Sequence, residues 1–211
     1  MERTRAHLRM SLQMQNGGVL MRTMLFVLVC FATALAAAQD MKIDRTGNSP
    51  VEAKFQTAGR VRMELCPGGI ELIGTDEPVL RVSYLSGQAR VRMDVMGDHA
   101  DLRLGGCPHS NFRARIELPK SASLYVRMFA GQLDVSGVTG DKNIELTFGQ
   151  LNIDAGHSEN YGRVDASVNS GAIDASPFDV HKGGLFRSFD QTGPGKYRLH
   201  AHVGAGQIEL R

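Results

Sequence analysis

The sequence predicts an all-β protein, a β-solenoid (β-helix-like) of short stacked strands, and two observations carry that prediction. One eight-residue phrase recurs five times, each copy built on a glycine: residues 65–72, 128–135, 146–153, 168–175 and 203–210. From Gln39 onward, apolar residues alternate with polar ones at period two, the strand signature, and no segment shows helical spacing. Repeats at intervals near 20 residues imply units that cannot bury an apolar side alone and stack on one another.

The phrase reads apolar, two variable positions, Gly, small or polar, Leu or Ile, Asp, Asn or Glu, apolar. Its glycine is expected at a corner that needs φ > 0 or leaves no room for a Cβ. In the strand after each corner, Leu133/Val135, Leu151/Ile153, Ile173/Ala175 and Ile208/Leu210 should point inward, with Asp134, Asn152, Asp174 and Glu209 outward. Gly131, Gly149 and Gly171 are spaced 18 and 22 residues apart. The last interval, Gly171 to Gly206, is 35 residues and must hold an insertion or an extra turn. Period-two alternation alone also fits an antiparallel β-sandwich, the competing architecture.

The first half reads as separate strands. Val61, Met63 and Leu65 alternate with Arg60, Arg62 and Glu64; Leu80, Val82 and Tyr84 follow, then Val91, Met93 and Val95. Leu102 and Leu104 make a short strand, and Phe112, Ala114, Ile116 and Leu118 the next. Pro67-Gly68-Gly69, Gly97-Asp98, Gly105-Gly106 and Pro119-Lys120 are the turns between them.

Residues 1–38 read as an export signal. Arg22 gives a positive start, Met24 to Leu35 an apolar run, and Ala36-Ala37-Ala38 a small-residue cleavage site before Gln39. A start at Met21 would give a signal of ordinary length. The run is shorter than the ~20 residues of a membrane helix, so no transmembrane helix is expected in the mature chain. Domain organisation is thus a signal over 1–38, a flexible N-terminal segment over 39–54 and one β domain over 55–211. Of 24 basic and 22 acidic residues, the signal holds four and one, which leaves 20 against 21. That balance lacks a nucleic-acid footprint. Cys66 and Cys107 both precede proline, and export places them where disulfides persist, so they are expected to pair.

Three segments resemble a known family: Glu117-Leu118-Pro119-Lys120-Ser121-Ala122-Ser123-Leu124, Gly131 to Gly140 (GQLDVSGVTG), and Gly149-Gln150-Leu151-Asn152-Ile153. They are similar to the "LPKxAxL" strand and "sGdv.v.gv.G" repeats of the bacterial DUF4097 family of adhesin domains, related to toast-rack-type β domains of envelope proteins. The resemblance spans roughly residues 55–211. The chain departs from it in carrying Gln after the glycine where the family often has Asp. The resemblance implies an exported, solenoid-like domain with no catalytic residues and no cofactor. Its function would be non-enzymatic binding of a cell-surface polysaccharide or an envelope protein, in the periplasm or at the cell surface. An open solenoid end leaves a homo-oligomer open.

Individual constellations add little chemistry. The outward acids, with Asp154 and Asp165 nearby, offer oxygen ligands, but the phrase is poorer in Gly and Asp than a calcium-binding β-roll, and a solvated face explains them. His200 and His202 share one strand face at i, i+2, yet no third ligand is evident, so no metal is expected. His109 beside Cys107 reads as a loop residue. Tyr125, Arg127 and Phe129 lie opposite the apolar Leu124/Val126/Met128 face, an aromatic-Arg-aromatic row that could stack on sugar rings or pack a partner. They are the candidate binding face. The alternative function is a cell-envelope stress or signalling accessory that docks on a membrane partner protein through one apolar patch.

Overall fold

The computed structural model describes residues 40–211 apart from 48, 86, 109 and 110. The export signal and His109 lie outside the described residues. Strands dominate: β1 Met41–Thr46, β2 Val51–Lys54, β3 Arg60–Leu65, β4 Gly68–Thr75, β5 Val79–Tyr84, β6 Arg90–Met96, β7 His99–Gly105, β8 Arg113–Pro119, β9 Ser123–Ser136, β10 Lys142–Ile153, β11 Tyr161–Ala175, β12 Val180–Thr192 and β13 Tyr197–Leu210. They form one open mixed sheet of 13 strands, and among the described residues no helix is long and apolar enough to cross a membrane.

The sheet is a stack of bent rungs. Each of the five long strands, β9 to β13, bends at a glycine into two arms, and the buried residues of both arms belong to one core. The other eight strands pair off as split rungs, one strand per arm. The stacking order is β1/β2, β6/β5, β7/β8, β3/β4, β9, β10, β13, β11, β12. Arm 1 thus holds β1, β6, β7, β3 and the first halves of β9, β10, β13 and β11. Arm 2 holds β2, β5, β8, β4 and their second halves. Parallel neighbours ordinarily need a crossover of a dozen residues or more. Here a bent strand ends near where the next begins, so 137–141 suffices to join β9 to β10, which pair in parallel register.

The corners are one glycine ladder. Gly68, Gly131, Gly149, Gly206, Gly171 and Gly184 lie in register across six consecutive rungs, all with φ between +118° and +154°. A Cβ on Gly171 would sit 1.7 Å from the Gly206 carbonyl oxygen, and one on Gly131 2.0 Å from that of Gly68. Glycine is therefore required by close backbone stacking as well as by dihedral angle. Inside, apolar columns run through the stack, as in Ile43, Met93, Leu102, Met63, Val126, Ile144, Ala201, Ala166 and Phe189.

The structure departs from the sequence expectation over residues 39–54 and adds detail elsewhere. Residues 39–54, read as a flexible segment, hold β1 and β2, which pair with β6 and β5; Val51 and Ala53 are buried because the end of the core needs a lid. Rungs do not stack in chain order: β13 lies between β10 and β11, parallel to both. The long Gly171–Gly206 interval holds the insertion its length required: β12, an antiparallel end rung. Lys182 and Arg187 of β12 stand opposite the inward Ile173 and Val168, and bond instead to the carbonyls of Ser188 (2.7 Å) and Gly183 (2.9 Å). Inward charges at a terminal strand disfavour pairing with another chain.

The Sγ atoms of Cys66 and Cys107 lie at disulfide distance, 2.06 Å. Cys66 precedes the Gly68 corner, and Cys107 belongs to the loop joining β7 to β8, the next rung. The pair therefore ties two rungs together where the glycine ladder stops. A cross-link over a sequence separation of 41 is worth ~4 kcal/mol in the chain-entropy model. Reduction, or Cys107→Ser, should lower the melting temperature by about 10 °C. Calorimetry with and without reductant checks this; an unchanged midpoint would mean the cross-link does not constrain the unfolded chain.

Candidate functional site

Because rungs are in register, outward side chains form rows on each arm. On arm 1 one row runs Asp44, Arg92, Arg103, Glu64, Arg127, Glu145, His202, Ser167. Its members pair across strands: Arg92 with Asp44 at 3.5 Å, Arg103 with Glu64 at 3.3 Å, Arg127 with Glu145 at 2.9 Å, and Ser167 Oγ with His202 Nδ1 at 2.9 Å. Hydrogen bonding to Arg90, and the charges of Arg90 and Arg92, hold the Asp44 carboxyl below its ordinary range. The bond to Glu145 raises the Arg127 pKa.

The neighbouring row runs Asp94, Asp101, Arg62, Tyr125, Asn143, His200, Asp165, Asp190. His200 Nδ1 bonds the Asp165 carboxylate, so His200 and His202 serve separate cross-strand pairs rather than one chelate. Among the described residues no group of three or more His, Cys, Asp or Glu converges to hold a metal ion.

The three residues singled out from sequence all point outward on β9. Tyr125 is half-buried, between the guanidiniums of Arg62 and Arg127, whose Cζ atoms lie 5.1 and 5.2 Å from the ring centroid. Arg127 is exposed. Phe129 is 61 % exposed and packs edge-on against Phe148, with ring centroids 5.5 Å apart. Phe148, on the next rung, is not legible in the sequence as part of the face, because only the stacking of rungs brings it there.

On arm 2 the outward acids form one row, Glu71, Asp134, Asn152, Glu209, Asp174, which ends at His181 of β12. Asp165 is absent from it, being on arm 1. Asn152 separates Asp134 from Glu209 and donates to Asp134 Oδ1 at 2.6 Å; Gln132 Nε2 donates to the same carboxylate at 2.9 Å. The amides thus satisfy a carboxylate that stacking would otherwise set beside like charges. Beside this row stand Gln132, Gln150 and Gln207 in register.

The arrangement can present rows of fixed polar groups at the inter-strand spacing of ~4.8 Å. No family model and no curated protein matches the chain. Among solved structures, the chain is similar to one described as a "putative cell adhesion protein" from Clostridium sporogenes, with 13% sequence identity, a TM-score of 0.49, and coverage of 82% of this chain and 100% of that one.

Proposed function

We propose that the protein is an exported, non-enzymatic binding module of adhesin type, which contacts envelope or extracellular polymers through the outer faces of its stacked rungs. The observation that carries this reading is the in-register repetition of outward polar side chains over successive rungs, since a repetitive rigid surface suits a repetitive ligand. The quoted DUF4097-like motifs support it, as does the placing of their glycines at the corners. The signal-like N-terminus and the Cys66–Cys107 pair support export. Tyr125, Arg127 and Phe129 are the residues proposed to make contact.

A specific observation favours the second reading, docking on a membrane partner protein. Phe129 and Phe148 form an exposed apolar pair beside the glycine corner, and Leu185 and Phe186, 64 % and 79 % exposed, lie at the same corner on the end rung. The test passes solubilised envelope of the producing bacterium over the immobilised protein and analyses both sugars and proteins. Saturable retention of polysaccharide, reduced at least about tenfold by Arg127→Ala with Phe129→Ala, is the expected result. Retention of one membrane protein and no polysaccharide would overturn it in favour of docking.

A further inference from the structure

We infer that arm 1 carries an anion-binding groove at the start of β3, β7 and β9, which takes the carboxylate groups of an acidic polysaccharide. The inference deepens the binding-module reading and rests on it. A cavity of about 530 Å³ is lined there by Arg60, Arg62, His99, Asp101, Ser123 and Tyr125, among others. Register sets His99, Arg60 and Ser123 in one row and Asp101, Arg62 and Tyr125 in the next.

The arginines of this groove differ from their neighbours. Arg90 and Arg92 are paired with Asp44, Arg103 with Glu64, and Arg127 with Glu145. Arg60 and Arg62 form no ion pair with any described residue, although Asp101 stands opposite Arg62 in register. Arg62 instead lies over the Tyr125 ring. A cation–π contact of this kind uses no N–H hydrogen bond to a carboxylate, so the guanidinium's donors stay available for a two-point bond to a ligand carboxylate. Tyr125, engaged by two guanidiniums, therefore also helps to orient Arg62. Arg60 stands two residues along the same strand face, about 7 Å away. The Ser123 hydroxyl and the His99 ring, whose Nδ1 faces Asp98 at 2.5 Å, add polar contacts beside it. Among the residues lining the groove, two guanidiniums without an ion pair to any described residue face one carboxylate, Asp101, while Asp98 is engaged by His99, a balance that favours an acidic ligand.

The test measures binding of polygalacturonate to the purified protein, with dextran as neutral polymer and phosphatidylglycerol vesicles as a different anionic surface. Polygalacturonate should bind, more weakly as salt rises. Arg60→Gln and Arg62→Gln should each weaken it about tenfold, as expected for loss of a charge-assisted bond. Asp101→Asn should strengthen it about threefold by removing a like charge. Opposite signs for these variants, with unchanged melting temperatures, are an outcome that a merely structural role would not give. Dextran bound as tightly as polygalacturonate, and indifferent to the arginine variants, would sink the anion groove and leave the binding module standing. Binding to no polymer would sink both. Binding to vesicles and not to polygalacturonate would overturn the polysaccharide assignment.

Discussion

Replacing Gly149 by alanine should cost several kcal/mol and lower the melting temperature by about 10 °C or more. Two costs add. Gly149 has φ +128°, a region that carries a penalty of about 1–3 kcal/mol for a residue with a side chain. A Cβ there would also lie 1.9 Å from the Gly131 carbonyl oxygen and 2.9 Å from its carbonyl carbon, both backbone atoms that no rotamer change can move. Relief requires rungs β9 and β10 to separate at the corner, which breaks the parallel register that holds both arms. Against a typical domain stability of about 5–15 kcal/mol this is a large fraction. Gly105→Ala is the control: its φ is unremarkable and a Cβ there meets nothing within 4 Å, so it should melt within about 2 °C of the parent. Thermal denaturation of the two variants side by side decides. Equal midpoints would mean that the rungs are not in backbone contact at the corner.

The same ladder marks what was legible in the sequence. All five glycine phrases fall on it, and the residues after each glycine divide inward and outward as their period requires, because strand alternation is a local property. Gly184, the sixth corner, is not legible in the same way. Its strand runs antiparallel, so its phrase is written backwards, and its inward positions hold Lys182 and Arg187 where the pattern asks for aliphatics. The split rungs are legible only as separate strands: the β7/β8 corner is a loop around Cys107, with no glycine phrase to mark it. Stacking order was illegible for a different reason. Nothing in a rung's own period states which rung it will touch, so the place of β13 between β10 and β11, and with it the pairs His200–Asp165 and His202–Ser167, appear only in the fold. The candidate face was legible as three outward residues on one strand. Its chemistry was not, since Arg62 reaches Tyr125 from β3 and Phe148 reaches Phe129 from β10.

Lys142 should make the protein more stable as pH rises from 8 to 10, against the usual trend for a small domain. It occupies an inward column position between Leu124 and Leu199 and is 1 % exposed, with Nζ donating to the Gly140 carbonyl at 3.2 Å and to the Tyr161 hydroxyl at 3.0 Å. Burial pulls its pKa down to about 8, against a partial pull upward from Asp154 and Asp141. The unfolded chain keeps the ordinary value near 10.5, so between these values the native state binds fewer protons and alkali favours it. Below pH 8 the full penalty applies, on the order of 3 kcal/mol at 1.36 kcal/mol per pKa unit. Tyr161 acts in the opposite sense. Burial raises it to about 12, so its contribution is intact below pH 10 and is lost as pH climbs through 12. Stability should therefore peak near pH 10. Lys142→Met places an unbranched apolar chain in the same column and removes the buried charge. It leaves the Tyr161 hydroxyl short of one partner, at about 1 kcal/mol. The net expectation at pH 7 is a gain of about 1–2 kcal/mol and a flat profile between pH 8 and 10. Urea denaturation of parent and variant across pH 7–10 measures both. A parent profile already flat in that window, or a variant less stable at pH 7, would show that the ammonium is solvated or paired well enough to earn its place in the column.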